Sequence, residues 1–176
     1  MLRMMKGDLH TLKKVCLYGS KVMLAGTVIL FAVAVAVAAL GISSFFTEST
    51  RGILSDILQF DVAAADSLKT GISVAELTFV FLLATVTVRR IYLVMVSIHT
   101  EHSPFNDANT QIVKILSFVY LASAVILLVL DLVAGRGIAS ALFMFFGCIL
   151  LSVVLYIFAL IIRYGAALQD ESDHTL

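Results

Sequence analysis

Glu76 and Asp131 have the most chemistry to offer in this chain, because each carboxyl group stands inside an otherwise apolar stretch. An ionisable side chain in hydrocarbon is costly, so such groups pair, line a wet path, or hold a proton or an ion. The pattern admits a proton- or cation-linked site, or two carboxyls sharing one proton. A second reading sets both groups near the headgroups, where the cost is small, with Asp131 close to Arg136. His99 and His102 form an H-x-x-H pair that can put two imidazoles on one side of a helix. They lack a third ligand, which favours solvated or interfacial histidines over a metal centre. Asp56, Asp61 and Asp66 are spaced by five, which spreads carboxylates around a helix instead of gathering them on a cation. No Gly-rich phosphate loop, nucleophile elbow or metalloprotease motif occurs. The chain is read as a non-enzyme, with no catalytic, cofactor-binding or metal-ligating residue assigned.

The elements that must position these groups are four apolar blocks, Val22 to Phe46, Gly71 to Val88, Ile112 to Val133 and Ile138 to Ile162. A bilayer core about 30 Å thick needs roughly 20 apolar residues at about 1.5 Å rise each. Hydrophobic residues make up 61% of the chain and charged ones 14%, well below the roughly 25% charged of a globular domain. No block carries the polar stripe of a soluble bundle, so lipid or neighbouring helices must surround each one. The fold class is therefore all-α: a polytopic membrane protein with four transmembrane helices in an antiparallel bundle. The predicted spans are about 22–46, 69–90, 112–134 and 138–162, within one membrane domain over 1–176.

Around Phe31 to Ala39, alanine and valine alternate as in a strand. An isolated strand in lipid leaves its backbone polar groups unsatisfied, whereas a helix with Ala32/Ala36 and Ala34/Ala38 one turn apart packs closely on a neighbour. The first block is too long for a signal peptide and is expected to stay as an uncleaved helix. Cys16 and Cys148 fall in the N-terminal arm and the fourth span. No disulfide is expected, and each should behave as a small apolar residue.

Orientation follows from Lys and Arg near the ends of the spans. Arg3, Lys6, Lys13, Lys14, Lys21, Arg89, Arg90, Lys114 and Arg163 lie on one side; only Arg51, Lys69 and Arg136 lie on the other. Both termini are expected in the cytoplasm, and the formal net charge of zero conceals the asymmetry without implying nucleic acid as a direct partner.

The outer loop, 47–70, carries Ile53, Leu54, Ile57, Leu58 and Phe60, a spacing that predicts a short helix with an apolar face at the interface. Gly135-Arg136-Gly137 makes the third and fourth spans a tight hairpin. In the second connection, 91–111, the apolar pattern runs past Arg89 and Arg90 through Ile98, so the second helix should continue into the cytoplasm. Pro104 then disfavours helix just before it, and Asn106 or Asp107 can cap a new one. The result is a protruding helical hairpin beside a basic arm, 1–21, and a tail, 163–176.

Two stretches carry a family resemblance. They are Ser103-Pro104-Phe105-Asn106-Asp107-Ala108-Asn109-Thr110-Gln111, and the tail from Arg163 through Gly165, Leu168, Gln169, Glu171, Asp173 and Thr175. With four spans in this length, the chain resembles the bacterial membrane family known as domain of unknown function twenty-nine seventy-five. The basic stretch Met1 to Lys21 has no counterpart in that pattern. Members are often encoded beside a small helix-turn-helix regulator, so the resemblance implies a bacterial inner-membrane protein that restrains such a partner. Pro104, Phe105, Asn106, Leu168, Gln169, Glu171, Asp173 and Thr175 would then form the shared cytoplasmic surface. The acidic Asp170, Glu171 and Asp173 have the sign to meet a basic DNA-reading surface, or the chain's own Lys13 and Lys14. A solvated, frayed terminus is the simpler reading of the tail. The function expected from this reading is restraint of a regulator; the alternative is a small transporter or permease-like subunit using Glu76 and Asp131 in a homo-oligomer, and a structural subunit of a larger complex comes third. The lipid bilayer is a partner in each, and none calls for a cofactor.

Overall fold

The computed structural model describes residues 2–58, 67–101, 105–135 and 137–174, which form five α-helices with no strand among them. In chain order these are α1, Leu2–Ser43; α2, Glu48–Leu58; α3, Ser67–Glu101; α4, Asp107–Ala134; and α5, Ile138–His174. Four contain segments long and apolar enough to cross a bilayer: Lys13–Ser43, Ser67–Thr100, Asp107–Ala134 and Ile138–Glu171. The chain is a multi-pass, all-helical integral membrane protein. Between 11% and 28% of the residues in each span's most apolar window are buried within the chain, leaving most of that surface for lipid or for other chains.

Several boundaries depart from the sequence reading. The basic arm is not a separate segment, because α1 begins at Leu2 and runs unbroken into the first span; lysine and arginine are good helix formers, and no glycine pair or proline interrupts them. The first span ends at Ser43, three residues before the predicted Phe46. There the Ser43 and Ser44 hydroxyls donate back to the Leu40 and Gly41 carbonyls at 3.0 and 2.7 Å. Tight bonds from Phe45 N to Ile42 O and from Phe46 N to Ser43 O close the last turn. Arg51 Nε then donates to the Ser44 carbonyl at 2.9 Å, a cation on exposed carbonyl dipoles at a helix C-terminus. The tail does not leave the helix at Arg163 but continues α5 to His174.

The chain divides into two compact units, each built from segments of several helices. The first comprises Met1–Thr27, Val86–Tyr120 and Leu150–Leu176. In it, the Thr87 and Tyr120 hydroxyls meet at 2.9 Å across α3 and α4. Ser152 Oγ donates to the Ser117 carbonyl at 2.8 Å across α5 and α4, and Phe118 and Tyr156 stand edge to face at 6.4 Å. Asn106 caps α4 as expected: its Oδ1 accepts from Asn109 N at 2.6 Å, and its Nδ2 donates to Ser97 Oγ at 2.9 Å.

The second unit comprises Val28–Thr85 and Leu121–Ile149. Within it Leu54 of α2 packs on Val74 of α3, with Leu58 against them, and Ala34, Val37, Ala124 and Leu127 are among its other buried apolar side chains. Of the apolar face predicted for the outer loop, Leu54 and Leu58 pack inward, while Ile53 and Ile57 stay exposed; Phe60 lies outside the described residues. Gly41 lets α1 approach α3 closely, for a Cβ there would collide with the Val74 side chain. The α4–α5 connection turns on Gly135 and Gly137, whose φ values of 68° and 106° favour glycine.

Candidate functional site

Asp131 lies on the packed stripe of α4, in step with Ala124, Leu127 and Ala134, and its exposure is 1%. Steps of three, four and seven residues return to one helical face, so the stripe that buries the alanines and the leucine also buries the carboxylate. Neither Asp131 oxygen has a hydrogen-bond partner among the described residues. Arg136, the counter-ion suggested by the sequence, lies outside them.

Glu76 is 4% exposed on α3. It closes a series of polar side chains, Thr70, Ser73 and Glu76, each three residues after the last. At about 100° per residue these fall within an arc of about 120°. Thr70 and Ser73 are buried, and among the described residues neither hydroxyl oxygen has a hydrogen-bond partner; nor has the hydroxyl of half-buried Thr78, two residues past Glu76 and off that arc. Both carboxylates and all three hydroxyls belong to the second unit. The acids stand out in the sequence; the hydroxyls do so only through the three-residue polar rhythm at the start of an apolar helix.

Carboxylate and hydroxyl oxygens are hard donors suited to protons and to small alkali or alkaline-earth cations, not to soft metals. An ionised carboxylate buried without hydrogen bonds costs several kcal/mol or more in a low-dielectric surrounding. Uptake of a proton or of a cation relieves that cost, and each can be exchanged. His99 is half-buried on α3 and Asp56 is exposed on α2; His102, Asp61 and Asp66 lie outside the described residues. Among the described residues no group of three or more His, Cys, Asp or Glu gathers to hold a metal ion.

The described residues among those expected to form a partner surface belong to the first unit. Phe105 and Gly165 are in contact so close that a Cβ on Gly165 would overlap the Phe105 ring, with Cε1 and Cγ at 2.7 and 2.9 Å. The second connection and the start of the tail therefore meet. Beyond that contact Leu168, Gln169 and Glu171 are exposed. Asn106 is occupied by the cap of α4 and by Ser97. Asp173 continues α5, while Pro104 and Thr175 lie outside the described residues. Cys16 is buried and Cys148 partly so, and both are free thiols.

Comparison with family models, with curated proteins and with solved structures finds no match to this chain.

Proposed function

We propose that this integral membrane protein is a non-enzymatic, small oligomeric transporter or permease-like subunit that takes up a proton or a small cation at Glu76 and Asp131. The observation that carries the reading is Asp131, an acid 1% exposed in a membrane-crossing helix with neither oxygen bonded among the described residues. A residue kept only for packing would be better replaced by alanine or leucine, since an unsatisfied buried polar group costs roughly 1–3 kcal/mol. An acid at such a place points to use. Four spans are few to enclose a path alone, so the working unit is an oligomer, consistent with the large apolar surface each span leaves uncovered. The test is flux into proteoliposomes under an imposed proton, sodium or potassium gradient, comparing the intact chain with Glu76→Gln and Asp131→Asn. The reading requires flux in the intact chain and its loss in both variants; no flux under any gradient would refute it.

A second reading is supported by the contact of Phe105 with Gly165, which joins the two stretches that carry the family resemblance. On it, the protein sits in a bacterial inner membrane with both termini in the cytoplasm, as the Lys and Arg distribution suggests. Its exposed α5 end, with Leu168, Gln169 and Glu171, binds a small helix-turn-helix regulator and keeps it from DNA by mass action. Affinity capture from detergent-solubilised membranes tests it, with the intact chain compared against one truncated after Gly165. Recovery of a small DNA-binding protein by the intact chain alone supports the reading, and equal recovery by both chains removes the tail from it.

A further inference from the structure

In the first unit, α4 and α5 enclose a groove of about 320 Å³ lined by Asp107, Thr110, Gln111, Lys114, Tyr156, Ala159, Leu160 and Arg163. Lys114 is the last charged residue before α4 turns apolar up to Asp131, and Arg163 is the first charged residue after the apolar run of α5 that begins at Ile138. Two cations that each mark the edge of a hydrocarbon-crossing stretch thus open onto one polar cavity. Toward the apolar run the same two helices expose Ile115 and Phe118 on α4, and Val153, Ile157 and Leu160 on α5.

We infer that this groove is a binding site for the headgroup of an anionic glycerophospholipid, whose acyl chains lie along the exposed apolar faces of α4 and α5. Arg163 offers a planar fork of donors to phosphate oxygens, and Lys114 a compact positive charge. Gln111 and the Tyr156 hydroxyl can donate to the remaining phosphate and glycerol oxygens, while the Thr110 hydroxyl, which donates to the Asn106 carbonyl, can accept from a glycerol hydroxyl. Asp107 also faces the groove; its negative charge opposes any anion there, and opposes a free phosphate dianion more than a singly charged phosphodiester. Basic pockets between membrane helices bind acidic headgroups by the same combination of charge and adjoining apolar surface. The site lies outside the unit that carries Glu76 and Asp131, and the inference does not depend on how those residues are used.

The experiment is a titration of the purified full chain in neutral detergent with phosphatidylglycerol, phosphatidylcholine or inorganic phosphate, reading bound lipid by native mass spectrometry and the thermal unfolding midpoint in parallel. Phosphatidylglycerol is expected to bind and to raise the midpoint, while phosphatidylcholine and phosphate do neither. The double variant Lys114→Gln/Arg163→Gln should bind roughly thirty-fold more weakly. Lys13→Gln/Lys14→Gln, which removes the same charge elsewhere, should leave binding within about two-fold of the intact chain. Because a double variant can fail to fold, Asp107→Asn gives an independent reading: loss of the repelling carboxylate should tighten phosphatidylglycerol. Equal binding of phosphatidylcholine, equal protection by phosphate, equal loss in the Lys13/Lys14 control, or weaker binding by Asp107→Asn would each overturn the inference.

Discussion

Replacing Gly41 with alanine probes the closest approach of α1 to α3. The new Cβ would collide with a Val74 methyl and lie 3.1 and 3.2 Å from the Val74 Cβ and the other methyl. Val74 cannot swing aside cheaply, because a β-branched residue in a helix keeps one strongly preferred rotamer. It also packs against Leu54, which is 1% exposed, in a cluster that Leu58 covers. The overlap should therefore cost the roughly 1–3 kcal/mol of an overpacked core. Alanine in a helix returns up to about 1 kcal/mol over glycine, so Gly41→Ala should be destabilised by about 0–2 kcal/mol. Val74→Ala alone leaves a small cavity, worth about 1–3 kcal/mol. The double variant should be more stable than the sum of the two predicts, with a favourable coupling of about 1–2 kcal/mol, because the second change removes what the first struck. Unfolding in mixed detergent micelles, followed by circular dichroism, gives the four values of the cycle. Gly41→Ala more stable than the intact chain, or costs that simply add, would refute the close approach.

Other perturbations follow from the same reasoning. Gly135→Ala and Gly137→Ala have nothing within 4 Å of the added Cβ, so each should cost about 1–2 kcal/mol from backbone strain alone, read in the same unfolding assay. Gly165→Ala should displace Phe105 and expose the start of the tail to protease, and adding Phe105→Ala should restore protection; unchanged cleavage in the single variant would contradict the contact. Arg51→Gln removes the guanidinium from the end of α1 and should speed amide exchange at Ser44 to Thr47, whereas Arg51→Lys, which keeps the charge, should lose less.

Much of the fold was legible in the sequence because lipid makes hydrophobic length almost the whole signal. Continuation of α3 past Arg89 and Arg90 followed from the apolar run through Ile98, and the restart of α4 followed from Asn106, whose side chain makes the expected cap. The ends were less legible. Asp170 and Glu171 sit unfavourably near the negative end of a helix dipole, yet α5 runs through them, where Ala166, Ala167, Leu168 and Gln169 carry strong helical propensity. In α2 the spacing grouped four apolar residues on one face, but which of them is buried depends on the Val74 surface: Leu54 and Leu58 pack in that cluster, and Ile53 and Ile57 stay exposed. The acids were visible as anomalies in apolar stretches. That Asp131 takes its place on a packed stripe depends on α4 rotation, which packing sets and composition does not.

The central claim is that buried acids in the spans exchange a proton or a cation. A hydrophobic carbodiimide, which attacks carboxyls in their protonated form, tests it most directly when applied to the chain in bilayers and mapped by peptide mass spectrometry. The account predicts labelling of Asp131 or Glu76, slowed by the transported cation or by raised pH, and loss of flux in step with labelling. Labelling confined to exposed acids such as Asp56, Asp170 and Glu171, with Asp131 and Glu76 untouched under every condition, would contradict it.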